Sequence, residues 1–202
     1  MASLLNMSGA GLLKKKPLPY DAEVEYIETK DSSQFIDTGI YSSADLSFYV
    51  DYDNANTGGS PYGNAFGDKT NSPCYRLTKY SGGLFRVDGK DVNNLGFNTA
   101  GRHTISYDGV GNVYVDGTLK KTVSPNTYTP SYTIILFGTR RDNDGGMQQG
   151  MANNKMYRCT FGDVADFIPV RKGTDGYMYD TVRQQLFAAT NGTTFNVGSD
   201  KF

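Results

Sequence analysis

The chain has no tryptophan, one histidine and two cysteines among its 202 residues. It has no apolar run approaching the roughly 20 residues that a membrane-spanning helix needs. Neither charge is in excess, with 20 Lys and Arg against 21 Asp and Glu. Each shortage excludes something. A near-neutral chain has no field to draw in nucleic acid or an anionic membrane, so neither is expected as a partner. Two thiols, Cys74 and Cys159, cannot set up a disulfide framework, and no Cys-x-x-Cys or His-rich cluster offers a zinc site. Buried free thiols are the simpler reading, since free Cys is among the most buried residue types; sequence alone does not decide whether the two pair. His103 has no second His and no Ser or Cys in a recognisable nucleophile motif, and it reads as structural.

What is abundant points to strands and tight turns. The chain holds 24 Gly, 15 Tyr and 11 Phe; Tyr and Phe suit pleated, half-buried surfaces, and Gly suits the turns between them. From Glu23 onward, short segments alternate or cluster in the β manner. Leu46, Phe48, Val50 and Tyr52 point one way while Ser47, Tyr49 and Asp51 point the other, which predicts a strand with one face on a core. Tyr132 to Phe137 is a continuous apolar run bounded by turn residues, as expected for a central strand. Asp108 to Asn112 and Asp116-Gly117 are turn sequences between alternating segments, so residues 102–123 predict a β-meander. Lys155 to Phe161 reads as a further strand, Asp88 to Thr99 as a polar stretch, and Arg140 to Asn153 as a loop. Only Thr181 to Phe187 offers a helical turn. A dozen or so short strands without a convincing helix predict a single all-β, two-sheet sandwich.

Certain residues occur in a recognisable order: Glu25-Tyr-Ile-Glu28, Phe35-Ile-Asp-Thr-Gly39, His103 ahead of a Tyr-Val-Asp-Gly117 hairpin, Asp166-Phe-Ile-Pro169, and Tyr179-Asp180. Over Glu23 to Phe202 this order resembles concanavalin A-like, laminin-G-like jelly-roll domains of the kind found in phage and surface proteins of gut bacteria. The resemblance implies a jelly-roll sandwich over residues 23–202, with residues 1–22 as an N-terminal arm. One departure is Val170, at a place where the family often carries Cys after the Ile-Pro pair. Read physically, the motifs are mainly structural: Asp116-Gly117 makes a turn, and Pro169, which cannot donate to a ladder, is expected to end a strand at an edge or exit.

Enzymatic relatives of such a fold are glycoside hydrolases, which need paired carboxylates about 5–5.5 Å apart when they retain configuration. The expected Glu-x-Asp-x-x-Glu pattern is missing, and Glu23, Glu25 and Glu28 read as a solvated face. No catalytic residue is assigned, and a non-enzyme is expected. Asp142, Asn143 and Asp144 are the one metal-like set, with oxygen ligands that suit Ca²⁺. The same residues make ordinary turns, which is the reading adopted; no cofactor is expected. If the domain binds glycans, the loops at 54–62 and 140–153 would carry the contacts, with Tyr62, Asn64, Arg140 and Arg141 as candidates.

The arm is the remaining clue. A secretory signal places its positive charge before its apolar stretch, but here Lys14, Lys15 and Lys16 follow Leu4, Leu5, Leu12 and Leu13. Pro17-Leu-Pro19 then breaks any helix. The leucines would dock into a neighbouring subunit while the lysines meet acidic surface; the alternative is an arm that packs along its own sandwich. Together with the resemblance, this leads to a phage virion structural protein (capsid decoration, head fibre or tail-associated), with other virion proteins or copies of itself as partners. The alternative is a bacterial surface lectin.

Overall fold

The computed structural model describes residues 17–54, 64–70, 73–79, 82–87, 90–97, 101–125, 127–148, 150 and 152–201, without the side chains of Asn54 and Asn64. No α-helix occurs among these residues, and so none that could cross a membrane. The strands are β1 (Ala22–Glu23), β2 (Ile27–Glu28), β3 (Ile36–Tyr41), β4 (Phe48–Asn54), β5 (Asn64–Gly67), β6 (Tyr75–Thr78) and β7 (Leu84–Val87). They continue with β8 (Lys90–Val92), β9 (Gly101–Tyr107), β10 (Asn112–Val115), β11 (Thr118–Thr122), β12 (Thr133–Leu136), β13 (Thr139–Arg140) and β14 (Met147–Gln148). The last five are β15 (Asn154–Phe161), β16 (Ala165–Lys172), β17 (Asp175–Asp180), β18 (Gln185–Phe187) and β19 (Asn196–Val197).

The chain shuttles between two antiparallel sheets. An 11-stranded sheet runs β11-β10-β9-β4-β15-β16-β17-β18, with β1 on β16 and with β2 between β15 and β19. A 6-stranded sheet runs β3-β12-β5-β6-β7-β8, and β13-β14 form a small hairpin. The core lies between the two large sheets. Phe48 of β4 is the pivot, its ring 4.9 Å from Phe66 and 5.0 Å from Phe85 on the opposite sheet, both edge to face. Such pairs add about 0.5–1.5 kcal/mol beyond the area they bury. Phe66, Phe85, Phe161 and Phe167 are fully buried around it. The result is an all-β, sandwich-like molecule, as the alternation in residues 46–52 foretold.

The Asp116-Gly117 turn follows its sequence signal. Asp116 has φ 50° and Gly117 has φ 73°, the left-handed pair that a two-residue hairpin requires. Cys74 and Cys159 are both buried free thiols, which answers the pairing question. Burial pushes the Cys74 thiol up to about 12 and the Cys159 thiol well above its ordinary value, so neither is a nucleophile at neutral pH.

Four readings are corrected. Residues 88–99 are not simply a polar stretch, because Lys90–Val92 forms β8 and Leu95 and Phe97 are buried. A three-residue edge strand with one core residue, Val92, is too short for periodicity to reveal. Likewise the 140–153 loop contains β14, and residues 181–187 form a turn and β18 rather than a helical turn. Finally, Pro169 does not end its strand: β16 runs on to Lys172, inside the large sheet. On one flank β16 pairs with β15 as far as Phe167, then with β1 from Val170. The carbonyl of Pro169 accepts from Val24 N–H on that flank. Its missing N–H therefore faces the gap between β15 and β1, where no ladder bond is lost.

Candidate functional site

The motifs that carry the resemblance turn out to fasten the sandwich. Asp180 is fully buried; its Oδ1 accepts from the N–H groups of Asp166, Val182 and Arg183. Its other oxygen pairs with the Arg183 guanidinium, which also donates to the carbonyl of Thr38 (2.7 Å) on the opposite sheet. Asp37 of the Phe35-to-Gly39 motif accepts from Thr133 Oγ1 (2.7 Å) and Arg140 Nη2 (2.6 Å). His103 Nδ1 lies 2.9 Å from Asp116 Oδ2, and Asp116 Oδ1 takes the Thr104 N–H. That contact explains why His103 precedes the Asp-Gly hairpin: the turn carboxylate anchors the imidazole on the neighbouring strand.

The candidates read from the sequence are dispersed. Leu4, Leu5, Leu12, Leu13, Lys14, Lys15, Lys16 and Tyr62 lie outside the described residues, and Asn64 opens β5. Arg140 has its donors taken internally, by Asp37, Thr133 and the Gly145 carbonyl. Arg141 is half exposed and pairs with Asp144 at 2.9 Å. Asp144 also accepts from Gly146 N–H, and the carbonyl of Asp142 accepts from Tyr132 (3.3 Å), so the 142–146 segment is built as a turn. Among the described residues, no three His, Cys, Asp or Glu side chains converge as a metal site.

Two depressions were not foreseen. The first is a groove of about 540 Å³ on the outer face of the large sheet, lined by Glu25, Tyr49, Asp51, Arg102, Tyr157, Arg158 and Lys201. A β-bulge makes it. The register between β15 and β4 shifts between Met156 and Arg158, so Tyr157 is the extra residue and shares the outer face with Arg158. The Arg102 guanidinium stacks 3.7 Å from the Tyr157 ring centroid and grips Asp51 with two hydrogen bonds of 2.7 and 2.6 Å. The bond to Asp51 holds the Arg102 pKa above its ordinary value. Arg158 grips Asp166 in the same bidentate way. Burial raises the Tyr49 and Tyr157 phenols, which keeps them protonated donors at neutral pH. Rings, planar donors and one carboxylate facing solvent suit a polar ligand with apolar faces. The signal in the sequence was the polar side of the 46–52 alternation, which named Tyr49 and Asp51 without showing what lay beside them.

The second depression, about 430 Å³, sits at one end of the sandwich, between the 43–45 loop, the 108–112 turn and residues 124–128. Ala44, Val110, Pro125 and Tyr128 supply its apolar lining. The close approach of the 108–112 turn to the Asp45 carbonyl depends on glycine: Gly109 has φ +81°, and a Cβ there would collide with that oxygen. The Tyr128 hydroxyl donates to Ser42 Oγ (2.6 Å), and the Tyr107 hydroxyl to the Ala44 carbonyl (2.9 Å), which holds the floor in place. Two loops and a turn far apart in sequence form this pocket, so no local motif marks it. In comparison with known proteins, the chain matches no protein family and no curated sequence.

Proposed function

We propose that the chain is a non-enzymatic jelly-roll sandwich of the concanavalin A-like, laminin-G-like kind, anchored in a phage particle by residues 1–22. The repeated passage of the chain between two antiparallel sheets supports the jelly-roll reading. The observation that carries the anchoring role is where the sandwich takes hold of the N-terminal segment. Asp21 N–H donates to the Arg171 carbonyl (2.9 Å), Ala22 pairs with Arg171, and Asp21 Oδ2 accepts from Gly173 N–H (2.7 Å). Residues 1–20, with their leucines and the Lys14–Lys16 cluster, thus start from a fixed point on the large sheet.

The test is incorporation of the full chain and of a variant lacking residues 1–20 into particles of the parent phage. Loss of the truncated chain from purified particles is expected; equal incorporation would sink the proposal. A second reading, a glycan-binding domain on a bacterial surface, is favoured by the tyrosine- and arginine-lined groove. A glycan array with and without Ca²⁺ tests it, and Tyr157→Ala is expected to remove the binding. Arg140 and Arg141 would then be outside the contact.

A further inference from the structure

We infer that the end pocket between residues 43–45, 109–110 and 124–128 receives the leucine–lysine segment of the N-terminal arm from a second copy of this chain, so that copies join head to tail. The inference rests on the anchoring role given to the arm above and adds to it a receptor site.

Three observations carry it. The first is the chemistry of the rim. Val110, at the tip of the 108–112 turn, is 83% exposed, although its turn would tolerate a polar residue equally well. Ala44, Pro125 and the Tyr128 ring continue the apolar surface inward from it. Asp45 is the one charged side chain in the pocket lining, and Asp108, held by the N–H groups of residues 110–112, stands at the base of the adjoining turn. Leu12 and Leu13 followed directly by Lys14, Lys15 and Lys16 offer the complement: two apolar side chains for the pocket and three cations for its rim.

The second is position. The pocket lies beyond the strand row in which Phe48 pairs with Tyr107 and with Phe161, and Phe161 with Ala165. The arm leaves beside Arg171, six residues farther along β16, at the opposite end of the sheet. Six residues span about 20 Å of strand, the loops beyond Phe48 add several more, and the three strand spacings from β16 to β9 add about 14 Å sideways. The pocket is therefore about 30 Å from Asp21.

The third is reach. Lys16 lies five residues from Asp21, Leu13 eight and Leu12 nine, which span at most about 18, 29 and 32 Å fully extended. Only a fully straight arm would bring Leu12 to its own pocket, and it would leave the backbone of Lys15 and Lys16 about 8 Å or more short of the rim. A neighbouring copy placed end to end brings its arm directly to them. Donor and acceptor surfaces at opposite ends make a heterologous contact, which yields rings or open strings rather than a closed two-fold dimer.

The experiment uses full-length chains and reads mass by light scattering on a sizing column. One variant, Val110→Asp, spoils the pocket at an exposed position; the other, Leu12→Ser with Leu13→Ser, spoils the arm. The unsubstituted chain is expected to associate beyond monomer at concentrations up to about 100 μM, where any micromolar contact is occupied. Each variant alone is expected to stay monomeric. An equimolar mixture of the two retains one intact arm and one intact pocket, and is expected to give dimers and nothing larger. A monomeric unsubstituted chain, association that survives in either variant, or a mixture that stays monomeric overturns the inference. Failure here, with the truncated chain still excluded from particles, leaves the anchoring role standing and places its receptor on another protein.

Discussion

Asp180 ties β16, the turn after β17 and, through Arg183, the facing sheet together. Its carboxylate is fully buried, closes the 181–184 turn, and holds Arg183 against Thr38 of the facing sheet. Its removal leaves three N–H groups and the partly buried Arg183 without their acceptor, so Asp180→Ala is expected to cost on the order of 3 kcal/mol; urea unfolding measures it, and a loss below about 1 kcal/mol would refute the fastening role. Carboxylates nearer the surface predict the response to acid. Asp37, Asp108 and Asp116 all sit below the ordinary carboxylate range: burial works against this in each, but hydrogen bonds outweigh it. The donors are Thr133, Gly39 N–H and Arg140 for Asp37, the N–H groups of residues 110–112 for Asp108, and His103 with Thr104 N–H for Asp116. A depressed carboxylate stabilises the fold above its unfolded pKa, and that contribution is lost as pH falls through its folded one. Stability should hold near neutrality and fall below about pH 4. Asp68, raised by burial, has the opposite sign, its contribution lost as pH rises. Urea midpoints on the acid side check this, with Asp108→Asn expected to shallow the fall.

Strand β15 shows how far an element could be read. A strict period of two, counted back from the buried Cys159 and Phe161, places Tyr157 in the core and Met156 outside. The structure has the reverse, with Met156 fully buried and Tyr157 on the outer face. The extra residue at the bulge shifts the alternation by one. Pairing against β4 decides it, and no residue type within 155–161 announces it. The same bulge hid the groove. Deleting Tyr157 should remove the extra residue and leave both halves of β15 facing as they do now. The shortened chain is expected to unfold cooperatively, with a smaller loss than the roughly 3–5 kcal/mol of Phe48→Ala. A larger loss would mean that the bulge is needed for folding. By contrast, the Asp116-Gly117 hairpin was legible in full, because a turn that demands two positive φ values leaves its mark on the two residues that make it.

For the whole molecule, the fold class was open to reading because strands such as β3 alternate buried and exposed residues while central ones such as β6 and β12 are apolar or buried almost throughout, and both patterns are short and bounded by turn residues. The two depressions were not, because each is assembled from stretches that only the sheet order brings together. Sheet order also exposes a weakness. β11 is an edge strand, exposed at all five residues, with Lys120 and Lys121 in its middle. Charged edges resist pairing with other chains, so Lys120→Val with Lys121→Val is expected to aggregate on concentration, as turbidity and light scattering would show; a clear, monodisperse solution would contradict it. At the other side of the large sheet, Val24 bridges Asp200 and Ile27 pairs with Val197, both antiparallel. The two ends of the sandwich therefore leave side by side. A force applied between residues 21 and 201 would peel these bonds apart one after another, like a zipper, whereas a load hung from a single end leaves them slack. The domain is mechanically suited to be a pendant and poorly suited to be a link in a chain threaded through both of its ends. Strings of copies joined arm to pocket would leave the Lys201 side of the seam unloaded.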